Sequence, residues 1–180
     1  MVSFFYQILA TVVLLSGSSN AENIRNLATT GQVAYQFGLT HGSQAGGVPF
    51  SVQPAQNEQI ATIRLNTGRR VDGMTIIYQQ ISTKRLREPL HIGTSYLSHG
   101  GKYELNLLDG EFVSRVEVHA IVMKKRKRIS FIQITTSKGR SIWGGTETND
   151  KVTFENGKKL AGFHGTAGAE IDSIGPIWMR

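Results

Sequence analysis

From Gln32 onward, apolar and polar positions alternate in short runs that glycine keeps interrupting. Val33, Tyr35 and Phe37 alternate with Gln32, Ala34 and Gln36, a period of two that predicts a strand. Leu39 to Gly47 is then a Gly/Ser/His loop. Gln59 to Leu65 alternates less cleanly and breaks at Asn66-Thr67-Gly68, after which Val71 to Tyr78 resumes with Val71, Met74, Ile76 and Tyr78 in phase. Gln79 to Pro89 is polar and basic, fitting a strand end and a loop. Ile92 to Tyr96 predicts a short strand closed by His99-Gly100-Gly101. Tyr103, Leu105 and Leu107 lead to Asp109-Gly110, and Phe112 to Val122 follows. Asp-Gly between two alternating runs predicts a hairpin. A second hairpin is expected from Ile129–Thr135 and Gly139–Trp143 across Ser137-Lys138-Gly139. Val152–Phe154 and Leu160–Phe163 flank Asn156-Gly157, and Ile171–Trp178 ends the pattern. Roughly a dozen short strands at this spacing predict an all-β sandwich, barrel or related closed architecture.

Composition agrees with that class. The 180 residues include 20 glycines and no cysteine, enough chain for one domain with a real core. The formal net charge is +7, with a pI near 9.9. That balance points to an acidic partner such as an anionic polysaccharide, a membrane surface or nucleic acid, or simply to a basic, soluble surface. Phe4 to Leu15 is an uncharged, mostly apolar run, followed by the small residues Ser19-Asn20-Ala21. It reads as a secretory signal peptide over 1–21, too short to span a bilayer comfortably. A retained anchor is the alternative, because no charged side chain precedes the run. Residues 22–31 read as a tail and 32–180 as the folded domain. A secreted chain without cysteine must hold itself together by core burial.

The richest chemistry lies in Gly162–Trp178, at the turn Gly168-Ala169-Glu170-Ile171-Asp172. Gly168 supplies a turn conformation that a side chain would oppose. Asp172 is an acceptor for two hydroxyl protons, and the neighbouring amides are donors. Donors beside a carboxylate suit a polyhydroxylated ring, whose hydroxyls both give and receive. The plainer alternative is a turn whose aspartate caps its own backbone. Nothing in the chain reads as an enzyme. His41, His91, His99, His119 and His164 are scattered without metal-ligand spacing. There is no Gly-x-Ser-x-Gly and no phosphate loop. Glu170 and Asp172 share one loop, whereas a glycosidase sets its two carboxyls across a cleft.

The same stretch, Gly162-Phe163-His164-Gly165, then Gly-x-x-x-Asp, then Ser173-Ile174-Gly175 and an aromatic strand, resembles the last hairpin of the jacalin-related lectins. Gly46-Gly47-Val48-Pro49-Phe50 is similar to the family's opening loop. Ile132–Gly139, Trp143-Gly144-Gly145-Thr146 and Phe154–Lys158 follow in the family's order. The resemblance implies a β-prism I fold: three four-stranded antiparallel sheets about a pseudo-threefold axis, with sugar loops gathered at one end. It assigns carbohydrate binding to Gly46, Gly47, Gly168, Ala169, Glu170 and Asp172, by hydrogen bonds alone, with no metal and no cofactor. Galactose-preferring relatives carry aromatics after the glycine, where this chain has Ala169 and Glu170. Their opening loop is also cut, whereas an intact Gly-Gly loop favours mannose or glucose. Ser51 departs from the aspartate usual at its position. Pseudo-symmetry marks a second loop, Gly68-Arg69-Arg70-Val71-Asp72, faced by Gly100-Gly101. It resembles the second sugar site of two-site members, although its arginines also suit sulfate, phosphate or carboxylate.

Lys124-Lys125-Arg126-Lys127-Arg128 places five cations at an expected hairpin turn. Packed like charges repel unless an anion lies against them. The run reads as a contact for sulfated glycan or anionic lipid, or as a solvated edge that discourages strand aggregation. Nucleic acid is not an expected partner of a chain with a leader. Because single sugar sites are weak, useful binding calls for several sites or a homo-oligomer acting together. Two rival readings are the targeting module of a membrane-acting toxin and an adhesive prism with decayed loops. The lectin reading expects the last turn to present Asp172 outward, opposite the paired-glycine bend.

Overall fold

The computed structural model describes residues 33–94, 101–123 and 125–180, with only the backbone at 101 and 102. The signal peptide, the tail, Gln32, Tyr96, His99, Gly100 and Lys124 lie outside the described residues. Within them the chain forms thirteen strands and no helix: β1 (Tyr35–Phe37), β2 (His41–Gly42), β3 (Val48–Val52), β4 (Glu58–Thr67), β5 (Val71–Gln80), β6 (Leu90–Gly93), β7 (Gly101–Asn106), β8 (Val113–Met123), β9 (Arg126–Thr136), β10 (Ser141–Gly145), β11 (Lys151–Glu155), β12 (Leu160–Ala167) and β13 (Ile171–Met179).

They make three antiparallel sheets. Two have the orders β6-β5-β4-β7 and β10-β9-β8-β11. In the third, β3-β12-β13, the fourth place is shared by two short strands. β1 pairs with Ile177–Met179, and β2 with Ser173–Ile174. Each sheet is therefore four strands wide, the β-prism expected from the sequence.

The threefold repeat shows in matched irregularities. The central hairpins β4–β5, β8–β9 and β12–β13 each shift register, at Asn66/Thr67, His119/Ala120 and Thr166/Ala167 respectively. Beside each hairpin a glycine with positive φ ends a strand, and the next amide donates to one carbonyl. Ser43 N donates to Asp172 O at 2.9 Å, Thr94 N to Asp72 O at 3.0 Å, and Thr146 N to Ser130 O at 2.7 Å. Asp172, Asp72 and Ser130 thus occupy equivalent positions, and only the β8–β9 sheet lacks the carboxylate.

Alternation sorts the core. Ile63 and Leu65 of β4 are buried while Arg64 between them is exposed; Met74, Ile76 and Tyr78, Val116 and Val118, Ile132 and Ile134, and Phe163 and Ile174 join them in one cluster between the sheets. Each such side chain contributes about 1.5–3 kcal/mol on leaving water. Tyr78 Oη stays satisfied there by donating to Ala161 O at 2.9 Å.

Three left-handed corners mark the other end of the prism: Asn57 (φ 62°), Gly110 (φ 74°) and Gly157 (φ 72°). Here the structure corrects one expectation. Asp109-Gly110 is no hairpin, because β7 pairs with β4 while β8 pairs with β9 and β11. The turn carries the chain from one sheet to the next. The reason lies one residue on. The buried Glu111 carboxylate accepts from Leu108 N (2.8 Å), Thr136 Oγ1 (2.5 Å) and Arg140 Nε (3.0 Å), pinning the corner to the neighbouring sheet. Asn156-Gly157 likewise links sheets, from β11 to β12.

The Asn57 corner gives a direct test. L-residues are disfavoured in the left-handed region, asparagine less than most. Asn57→Ala should cost about 1 kcal/mol and Asn57→Gly be neutral or slightly stabilising, as read by urea unfolding.

Candidate functional site

The hairpin ends opposite those corners come together. In the last hairpin, Gly168 N donates to Glu170 O at 2.9 Å; in the first, Gly68 N donates to Arg70 O at 3.0 Å. The two Gly-x-x-x-Asp loops share this fold. Gly168 and Ala169 are exposed, and among the described residues no acceptor meets the Ala169 or Glu170 amide. The Gly46-Gly47 bend faces this turn. A Cβ on Gly47 would stand 2.6 Å from Asp172 Oδ2 and 2.8 Å from the Ala167 carbonyl carbon, and Gly47 has φ of +69°. Only glycine lets the two backbones approach this closely.

The third hairpin differs. Past the Ala120–Ile129 pair, β8 and β9 run on as Ile121–Arg128, Val122–Lys127 and Met123–Arg126. Of the described part of the basic run, only Lys125 is at the turn, with φ of 67°. Arg126–Arg128 lie on β9. Because side chains alternate along the strand, Arg126 and Arg128 share one face, and Lys127 takes the other. Lys127 Nζ is 2.8 Å from Asp150 Oδ2, and this ammonium holds the Asp150 carboxyl below its ordinary range.

Arg126 and Arg128 lean over the last turn instead. Arg128 Nη1 is 2.5 Å from Asp172 Oδ1, and Arg128 Nε is 3.5 Å from Glu170 Oε2. Arg70 Nη2 pairs with Glu170 Oε1, and Arg70 Nη1 approaches the Met123 sulfur at 2.7 Å. The result is a ladder of alternating charge, Arg70–Glu170–Arg128–Asp172, that ties all three hairpin ends together. Asp172 does not point outward as the sequence reading expected. It is 3% exposed, because the Arg128 guanidinium from β9 covers it. The anion that the basic run demands is thus supplied, for Lys127 and Arg128, by the chain itself.

Between these groups lies an open cavity of about 680 Å³ lined by Gly47, Arg70, Met123, Arg126, Arg128, Gly168, Ala169, Glu170 and Asp172. Arg126 Nη1 reaches the Gly46 side, 3.2 Å from where a Cβ would stand. Among the described residues no carboxylate lies within ion-pair distance of Arg126, so the cavity carries one cation in excess. Arg70, Met123, Arg126 and Arg128 were not read as part of this site. Arg70 had been placed in the second loop and the others in or beside the basic run, and only closure of the prism brings them here.

The second loop is less complete. Gly68 lies against Asp72, Gly101 begins β7 opposite Thr67, and Arg69 is exposed. Arg70 has turned away to Glu170. Burial pushes the Asp72 carboxyl up, opposed by the Arg70 charge and by the Gly68 amide. Thr94 Oγ1 donates to Ala169 O at 2.7 Å, joining this loop cluster to the first. No group of three or more His, Cys, Asp or Glu that could hold a metal occurs among the described residues.

Residues 39–177 match the family model of the jacalin-like lectin domain. No curated protein sequence matches the chain. Among solved structures it is similar to Malaysian banana lectin, at 25% identity and a TM-score of 0.69, covering 83% of this chain and 99% of that one. Calystegia sepium agglutinin (17% identity, TM-score 0.69, 82% and 97% covered) and a mannose-binding jacalin-related lectin from Ananas comosus (12%, 0.65, 84% and 99%) share the fold. With its three sheets, facing glycine bend and Gly-x-x-x-Asp turn in place, this chain belongs to the jacalin-like lectin family, whose members bind carbohydrate and are not enzymes.

Proposed function

We propose that the chain is a secreted lectin for mannose- or glucose-type glycans, held by hydrogen bonds and without metal in the cavity between Gly46-Gly47 and Gly168–Asp172. One observation carries this reading: the Gly47 bend stands against Asp172, with the exposed Gly168-Ala169 turn at the same mouth. A pyranose placed there meets amide donors on one side and the Asp172 carboxylate on the other. Neutral sugar hydroxyls answer both kinds of group. Ala169 and Glu170 leave no aromatic platform at the turn, which favours mannose or glucose over galactose. The mannose-binding solved relatives support the same sugar class. Export rests on the leader read in residues 1–21.

A second reading has its own observation. Arg126 and Lys125 are exposed at the tip, and Arg126 lacks an acidic partner among the described residues. A sulfated polysaccharide or anionic lipid surface would supply one. A glycan array at low and high salt separates the two. Neutral mannoside binding that survives high salt supports the lectin, because screening scarcely weakens neutral hydrogen bonding. Binding confined to sulfated glycans, and lost as salt rises, would replace it with the polyanion reading.

A further inference from the structure

Arg128 has two seats and uses one. In this structure it donates to Asp172 Oδ1 at 2.5 Å. Its Nε stands 3.5 Å from Glu170 Oε2, an oxygen that is buried and has no hydrogen-bond partner. A buried carboxylate oxygen left unbonded is costly. Glu170 is held for this role from its other side, because Arg70 pairs with Oε1. Asp172, meanwhile, has Oδ2 turned to the Gly47 backbone and Oδ1 covered. The acceptor that a sugar hydroxyl would use is therefore already engaged by the chain's own guanidinium.

We propose that Arg128 is a gate on the sugar site, closed on Asp172 in the free chain and moved to Glu170 Oε2 when a sugar binds. The inference rests on the mannoside reading above. Opening needs only a short displacement. The bond lost at Asp172 is replaced by one to the orphaned Glu170 oxygen, while a sugar hydroxyl takes the vacated Asp172 oxygen. Each buried polar atom then has a partner. The gate also discriminates among ligands. A sugar that cannot offer a hydroxyl to Asp172 leaves that carboxylate buried and unpaired once Arg128 departs, so the closed state wins. The determinant of affinity thus lies on β9, outside both Gly-x-x-x-Asp loops.

The test is a calorimetric titration with methyl α-mannoside at about 50 and about 500 mM NaCl, from weak to strong screening. The unmodified chain, Arg128→Gln and Glu170→Gln are compared. Arg128→Gln should bind about tenfold more tightly, since the free site no longer has to break a charge-assisted bond. Its affinity should be indifferent to salt, whereas that of the unmodified chain improves as salt loosens the gate. Glu170→Gln, which loses the open seat, should bind several-fold more weakly.

Equal or weaker binding by Arg128→Gln, with the unmodified chain still dependent on Asp172, overturns the gate and leaves the lectin reading standing. Absence of mannoside binding in both chains removes the mannoside reading and the gate with it. Should Arg128→Gln fold poorly, nuclear magnetic resonance of the unmodified chain decides. The Arg128 Nε–H resonance should move downfield and saturate with mannoside; binding without that movement overturns the proposal.

Discussion

Asp172→Ala should lose mannoside binding by a hundredfold or more. The hydroxyl that takes the oxygen vacated by Arg128 makes a charge-assisted bond of about 1.5–3 kcal/mol, its loss leaves that hydroxyl without an acceptor, and about 2.7 kcal/mol is already a hundredfold. The other carboxylate lining the cavity, Glu170, does not take over, because Arg70 holds its Oε1 and Arg128 stands beside its Oε2. The substitution also strips Arg128 of its nearer partner, so a melting curve must accompany the titration. Arg128 keeps Glu170 and is 24% exposed, which limits the damage to the fold. Asp72→Ala is the matched control. It removes the equivalent carboxylate from the second loop and should leave the first site's affinity within a factor of about two, because Asp72 does not line the first cavity. A folded Asp172→Ala chain that still binds mannoside as tightly as its parent would show that the sugar sits elsewhere.

Glu111→Ala should cost about 2–4 kcal/mol of stability, the range for removing one partner from a buried ion pair that is open at one end. Glu111 is 5% exposed and takes bonds from Leu108, Thr136 and Arg140. Alanine leaves the Thr136 hydroxyl buried without its acceptor. Arg140 is 41% exposed and can turn to water, which holds the cost below that of a sealed pair. The effect has a pH signature. Hydrogen bonds from Arg140 lead the groups that draw the Glu111 carboxyl down from 4.5 to about 2. A carboxyl lowered on folding stabilises above its unfolded value and loses that contribution as pH falls through the folded one. The gap between parent and variant in urea unfolding should therefore be widest above pH 4.5 and close towards pH 2. A gap that stays constant over that range would mean that Glu111 acts by packing and not by charge.

Much of this was legible along the chain, and the failures share one cause. Period-two alternation located the strands, because each strand buries one face on the axis and its pattern is local. The paired-glycine bend was legible for the same reason, since turn chemistry depends on a few consecutive residues; Gly168 is a correction, because its φ is not left-handed and a Cβ there would meet nothing nearer than Gly47 Cα at 3.9 Å. Pairing across sheets is not local. Asp109-Gly110 has hairpin chemistry, yet Glu111 binds Thr136 and Arg140 of the next sheet, and that long-range anchor turns the chain away. The charge ladder is the larger instance. Arg70, Glu170, Arg128 and Asp172 come from three hairpins, and no spacing in the sequence states that they meet. The basic run announced its need for an anion but not where the anion would come from. Part of the answer is that Asp150, Glu170 and Asp172 belong to the same chain.

The sheet that carries the Gly168–Asp172 turn is closed by strands from both extremes of the domain, β1 to β3 at one and β12 and β13 at the other. A ribosome releases these in the wrong order for early pairing. Tyr35 to Val52 must wait, unpaired, for partners about 110 to 145 residues later, while the β4–β7 and β8–β11 sheets close on shorter loops. The glycine bend is made long before its aspartate, so a nascent chain can close the cavity between Gly47 and Asp172 only once β13 has emerged.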